Sequence, residues 1–336
     1  MRCANKPRII GLILSACLSM ALLYHFLSPS KSYSIDLPVE SSSSINIYDM
    51  NVIKATGDAA RNKEQVLILT PIARFYQEYW NNILKLSYPR DLISLGFILP
   101  RGKQGRETSK KLRKAINLVQ SGPANKRFAE VTIMIEDQEI STEQSESERH
   151  KFAAQKERRG RMAITRNTLL EATLTPTTAW VFWLDSDIVE TPPTIIEDMT
   201  SHNKDVLVAN CYQRYGKNQI REYDLNNWRE SQTAIELAQG MSEDEIVVEG
   251  YHEIATYRPL FVYDREENGD PDREMELDGV GATALLVKAE VHRDGAMFPS
   301  FPFYHLIESE GFAKMAKRLN YQVWGLPNYL VYHYNE

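Results

Sequence analysis

An α/β fold built on a mainly parallel sheet is predicted by three features of these 336 residues. From about residue 63, short apolar runs alternate with segments of helical spacing. The runs are apolar almost throughout rather than at every second position, as strands buried on both faces require. At 43% hydrophobic and 25% charged, the chain has the composition to bury a full core.

VLILT (66–70) reads as a strand stopped by Pro71, and FYQEYWNNILKL (75–86) as a helix. LISLGFIL (92–99) is a second strand, ended by Pro100, and residues 107–120 again suit a helix. VTIMIE (131–136) is a third strand. A charged stretch, 137–161, precedes a helix expected over about 162–172, and WVFWL (180–184) is a fourth strand. In the less regular second half, VLVANCYQ (206–213), ATALLVKA (282–289) and YLVYHY (329–334) read as strands, and HLIESEGFAKMAKRL (305–319) as a helix. Ligands of such sheets bind beyond the carboxyl ends of the strands. No internal repeat, Walker A loop or G-x-G-x-x-G sequence occurs. A net charge of −6 argues against a general nucleic-acid binder, which shows a basic excess.

The N-terminus points to a membrane. Residues 9–27, IIGLILSACLSMALLYHFL, contain no Lys, Arg, Asp or Glu. As a helix they would span roughly 28 Å, close to a bilayer's hydrocarbon core. Arg2, Lys6 and Arg8 precede them, so the expected arrangement is a cytosolic tail (1–8) and a retained signal-anchor (9–27). A stem (28–62), rich in Ser, Pro, Asn and Asp, follows, and then a translocated main domain (63–336). A cleaved signal peptide is the rival, but its apolar region would be shorter and end at an A-x-A-like site. Cys211 is the one cysteine past the span, so the main domain has no internal disulfide.

The chemistry concentrates at WVFWLDSDIVETPP (180–193). An apolar strand delivers Asp185 and Asp187, and alternate side chains of an extended chain share a face. Two convergent carboxylates call for a divalent cation, with Mg²⁺ or Mn²⁺ favoured by oxygen ligands. The competing reading is a helix cap ahead of PPTIIEDM. His333 is a further metal candidate, or a packed residue between tyrosines. Arg158, Arg159, Arg161 and Arg166 form a basic cluster suited to phosphates, or a solvated helix face. YDLNNW (223–228) and LDGVG (277–281) offer Asp224, Asn226, Asn227, Trp228 and Asp278, groups that suit a sugar ring or an ordinary turn beside a core tryptophan.

In order along the chain, ILTPIARFYQEYW, LISLGFILPRG, RMAITRNTLLEATL, WLDSDIVETPP, ANCYQRY, YDLNNWRES, EGYHEIATYRPL, the run from LDGVGATALLVKAE to GFAKMAKRL, and GLPNYLVYHYNE closely resemble the fungal mannan polymerase subunits. These are the type II Golgi α-1,6-mannosyltransferases of glycosyltransferase family 62, and the resemblance covers about residues 64–336. It implies a GT-A fold, GDP-mannose as donor, Mn²⁺ as cofactor and a mannose-terminated N-glycan as acceptor. It also implies the α-1,6-linked mannan backbone of cell-wall mannoproteins as product, and partners in a hetero-oligomeric Golgi complex. The RRGRMAITRN run and short stem suggest the subunit shared between complexes.

By this resemblance Asp185 and Asp187 bind metal and nucleotide, with Asp187 catalytic, and His333 completes the metal site. Arg158 or Arg166 lies near the diphosphate. Thr70 and Pro71 belong to the nucleotide pocket. Asp224 resembles the acidic residue near donor and acceptor sugar and is expected to serve catalysis and the acceptor, while Trp228 and Asp278 stand as acceptor candidates on their residue types alone. Two alternatives remain: a non-catalytic scaffold subunit, and a metal-dependent phosphatase, whose later lysine and acidic-pair motifs are not found.

Overall fold

The computed structural model describes residues 45–137, 152–216, 219–251 and 253–335. Contacts divide the chain into Met1–Ile47 and Tyr48–Glu336. The expected tail, membrane span and most of the stem fall outside the described residues. No helix among the described residues is long and apolar enough to cross a membrane. The last part of the expected stem belongs to the folded unit: Ala59 is buried in its core, and Thr56 is hydrogen-bonded to Glu64.

The first half forms as its apolar runs predict. Strands β1 (Gln65–Pro71), β2 (Ile93–Pro100), β3 (Glu130–Glu136) and β4 (Thr178–Leu184) lie parallel in the order β3-β2-β1-β4. Helices α1 (Gln77–Lys85), α2 (Lys103–Gln120) and α3 (Phe152–Thr173) connect them. Alternation within each strand splits two cores between the faces. Val66, Ile68, Trp180, Phe182 and Leu184 pack with α1 and α2. Leu67, Leu69, Val181 and Trp183 face the opposite way, with Ala163, Leu169 and Leu170 of α3.

The second half departs from a mainly parallel sheet. After β5 (Ile188–Glu190) and α4 (Ile195–Ser201) come β6 (Val206–Tyr215) and β7 (Gln219–Glu222), then α5 (Gln232–Gln239) and β8 (Met275–Glu276). The chain ends with β9 (Ala284–Lys288), α6 (Ala289–Arg293), α7 (Glu308–Arg318) and β10 (Val323–His333). The order continues β4-β9-β6-β10-β5, and β9 is antiparallel to both β4 and β6. The sheet is therefore mixed. Apolar runs such as ATALLVKA show that a strand is buried on two faces but carry no sign of its direction.

Two boundaries also differ. Helix α3 starts ten residues before its expected start at 162, inside the charged stretch. Gln155, Arg158 and Arg159 there line a cavity, and Glu157 and Arg161 pair one turn apart on the exposed side. Strand β10 begins at Val323, not at 329. It pairs in parallel with β6 from Val323 to Leu326, breaks register, and resumes from Leu330 to His333. Pro327 sits in the break, where a missing N–H costs no ladder bond, and its carbonyl accepts from Asn210 Nδ2 at 2.8 Å.

Candidate functional site

The carboxyl end of β4 carries the two aspartates. Thr70, fully buried at the end of β1, donates its hydroxyl to the Leu184 carbonyl at 2.8 Å and lies 2.6 Å from the Tyr79 hydroxyl. Thr70 thus anchors the strand end and lines no described cavity. The Ile188 amide donates to the Asp185 carbonyl at 3.0 Å, turning the chain into β5. Strand β5 then pairs antiparallel with the end of β10, setting Ile188 opposite His333. The Tyr334 amide donates to the Asp187 carbonyl at 2.7 Å. That pairing brings His333 Nε2 to 3.1 Å from Asp187 Oδ2.

His333 is oriented by three contacts. Its Nδ1 lies 2.7 Å from the Tyr334 carbonyl, which fixes the proton there and turns Nε2 toward Asp187. The Tyr223 ring stacks on it at 3.7 Å between centroids. Burial alone would lower its pKa, but the hydrogen bond and charge of Asp187 and the Tyr334 carbonyl raise it overall.

Asp185 is held differently. Its Oδ1 accepts from Arg166 Nη2 at 2.9 Å. Burial pushes the Asp185 carboxyl up, Arg166 pulls it down and neighbouring Asp187 pushes it up again, leaving it at about 6. Two carboxylates and one imidazole are the donor types that suit a hard divalent ion. Two of the three, Asp187 and His333, are already in contact. With Asp185 turned to Arg166, no cluster of three or more His, Cys, Asp or Glu groups among the described residues is arranged to hold a metal.

Two cavities meet here. The larger, about 570 Å³, is lined by Arg159, Arg166, Tyr223, Asp224, Glu308 and His333 among others. The smaller, about 240 Å³, runs along the ends of β1 and β2 past Pro71, Ile72, Ile98 and Pro100. Arg158, Met162, Asp185 and Asp187 line both. Helix α3 supplies the basic side: Arg158, Arg159, Met162 and Arg166 recur at helical spacing and share one face. Arg166 is committed to Asp185 and to Glu308, whose Oε1 accepts from its Nε at 2.8 Å. Arg158 is exposed, with a long polar contact of 3.4 Å from its Nη1 to Gln155.

Asp224 lies in the larger cavity, braced on both oxygens. Oδ1 accepts from the Asn226 amide at 2.9 Å and Oδ2 from the Thr283 hydroxyl at 3.0 Å. The glycines of LDGVG serve this packing. A Cβ on Gly281 would sit 1.9 Å from Asp224 Oδ2, and one on Gly279 would sit 2.2 Å from the Trp228 ring.

The two other acceptor candidates are not on the cavity. Trp228 is fully buried, with Arg258 over its ring at 3.6 Å and its Nε1 donating to Glu310. Both of its faces are spent on the protein, so it offers no platform to a sugar. Asp278 pairs with Lys317 at 2.5 Å and accepts from the Glu230 amide, on a separate small cavity. The sequence did suggest Arg159 as part of a basic cluster. It left no sign of Glu308 or Glu249 as cavity residues; Glu308 opens a helix, and a glutamate there reads as part of a solvated first turn.

A sequence model of the Anp1 family matches residues 44–302. The mannan polymerase complex subunit mnn9 of Schizosaccharomyces pombe is 60% identical over 338 residues, covering 100% of both chains. The mannan polymerase complex subunit MNN9 of Candida albicans is 53% identical over 306 residues, 90% of this chain and 82% of that one. Among solved structures, the mannosyltransferase PcManGT from Pyrobaculum calidifontis, in complex with GDP-Man and Mn²⁺, is 12% identical with a TM-score of 0.43. It covers 80% of this chain and 56% of that one, a superposition too loose to identify a fold.

Proposed function

Because this chain belongs to the Anp1 family of fungal mannan polymerase subunits, we propose that it is a GT-A mannosyltransferase extending an α-1,6-linked mannan backbone from GDP-mannose. The observation that carries this reading is the junction of two cavities at Arg158, Asp185 and Asp187. A nucleoside diphosphate sugar has that form: a flat base and ribose, a diphosphate, then a polar ring. The guanosine takes the narrow cavity beside Pro71, and the mannose and the incoming acceptor take the wide one. Of the two arginines considered for the diphosphate, Arg158 suits it better, since Arg166 already gives Nε to Glu308 and Nη2 to Asp185 and keeps only Nη1 unpartnered.

Asp187 and His333 would hold Mn²⁺, next to Asp185. When bound, the ion offsets the charge that grows on the departing diphosphate. Arg158 adds a second positive charge at the same place. Asp224, rigid between Asn226 and Thr283, accepts hydrogen bonds from ring hydroxyls and orients donor and acceptor. The bond from the anomeric carbon to the β-phosphate oxygen breaks, and one to the acceptor's primary hydroxyl oxygen forms on the same face, so configuration is retained. The hydroxyl proton passes to the departing β-phosphate. Buried walls around Asp185 and Arg166 limit water, the competing acceptor.

The apolar segment 9–27 supports placement as a single-pass type II protein of the Golgi membrane with a luminal site, among partner subunits of a polymerase complex. The test is mannose transfer from GDP-mannose to α-mannobiose by the purified full-length protein with Mn²⁺. An α-1,6-linked trisaccharide is expected. Absence of both transfer and GDP-mannose binding would overturn the reading, whereas binding without transfer would favour a scaffold subunit.

A further inference from the structure

Glu308 opens α7 with φ 55°, in the left-handed region that residues other than glycine enter rarely. Its side chain is 10% exposed, and both oxygens are engaged within the cavity wall. Oε1 accepts from Arg166 Nε at 2.8 Å, and Oε2 accepts from the Ser309 hydroxyl at 3.0 Å. Burial would raise its pKa, but Arg166 and Arg159 hold it below the usual range, so it is a carboxylate.

Arg166 lies between this carboxylate and Asp185. The rings of Trp183 and Phe298, themselves in edge contact at 5.0 Å, lie together on one side of it at 5.5 and 5.6 Å, and its side chain is 5% exposed. Rings on one side of a guanidinium give it a surface to rest on but do not set its rotation. Rotation is set by the two carboxylates, one on Nε and one on Nη2. The third corner, Nη1, is buried with no hydrogen-bond partner in the protein, although the residue lines the larger cavity. An unmade hydrogen bond at a buried guanidinium costs stability unless a ligand completes it.

We infer that Glu308 is a positioning residue: it locks Arg166 so that one edge grips Asp185 and the unpartnered Nη1 is left for a polar oxygen of the bound donor. This rests on the mannosyltransferase reading for the identity of the donor, but not for the geometry. A backbone held at positive φ fits that role, because an ordinary helical start would aim the side chain elsewhere.

The test is a double-variant cycle of Glu308→Gln and Arg166→Gln in the full chain, scored per folded molecule. Glu308→Gln keeps the size of the side chain and removes its charge. It is expected to lower kcat/KM for GDP-mannose about 10- to 100-fold, with the KM for α-mannobiose unchanged within about twofold. The double variant is expected to be no worse than Arg166→Gln alone. Wild-type kcat/KM in Glu308→Gln, or losses that multiply in the double variant, would overturn the inference, and a merely structural ion pair would lower stability without the donor-specific loss. If Glu308→Gln does not fold, Glu308→Asp, which keeps the charge but shortens its reach, should show the same donor-specific loss. A crystal structure of the Glu308 variant decides the geometry without turnover. Arg166 should leave Asp185, and an unchanged contact would refute the locking role. A wild-type chain that transfers no mannose would fail the mannosyltransferase reading instead, and that structure would still judge Glu308.

Discussion

Two histidines show how position sets the role of one side chain. His333, at the cavity, presents Nε2 to Asp187, whereas His292 is sealed in the core. His292 accepts from Trp183 Nε1 at 3.2 Å, and its Nδ1 lies 2.8 Å from the Ala296 carbonyl. Burial, only partly opposed by that carbonyl, lowers its pKa from 6.5 to about 4. Above pH 6.5 the imidazole is neutral in both folded and unfolded chains. As pH falls from there toward 4, the unfolded chain takes up a proton that the folded chain refuses. Stability therefore drops through that window, by up to about 3 kcal/mol from this group. In urea melts at pH 7 and pH 4.5, His292→Leu should lose less stability on acidification than the wild type. An equal loss would mean that His292 does not titrate this way. For Asp187→Asn, transfer should fall at least about 1,000-fold with the far-ultraviolet circular dichroism and melting midpoint preserved. Wild-type transfer would remove Asp187 from the site.

At the level of elements, the site depends on a break and a short strand. The register break at Pro327 and the three-residue β5 together lay the end of β10 beside the turn after β4. Neither was legible. GLPN reads as a loop, and IVE is too short to give an alternation. The close approach of LDGVG to YDLNNW was legible as glycine placement, but its object was not. The glycines admit Asp224 and the Trp228 ring rather than a ligand. Gly281→Ala should accordingly cost about 1–3 kcal/mol in chemical unfolding and reduce transfer, by displacing the Asp224 carboxylate. A variant as stable and active as the wild type would show that Asp224 has room to move.

Across the whole molecule, two apolar cores clasp one mixed sheet, with the cavities at the carboxyl ends of its parallel half. Among the described residues no disulfide braces it. Cys211 is free and buried, and burial first, then nearby Asp224 and Asp187, push its thiol well above the usual value. The melting midpoint should therefore be the same with and without dithiothreitol, within ~1 °C. A clear drop on reduction would reveal a cross-link. The strand of apolar residues ending in Asp185 and Asp187, the parallel first half, and the family were all legible in the sequence. Each depends on residues adjacent in the chain, where periodicity and local order carry the information. Strand direction in the second half, the withdrawal of Trp228 into the core, and the meeting of Asp187 with His333 and of Glu308 with Arg166 were decided by the tertiary structure alone. Those partners are 142 or more residues apart. What brings them together is sheet pairing and side-chain packing, which leave no period in the sequence.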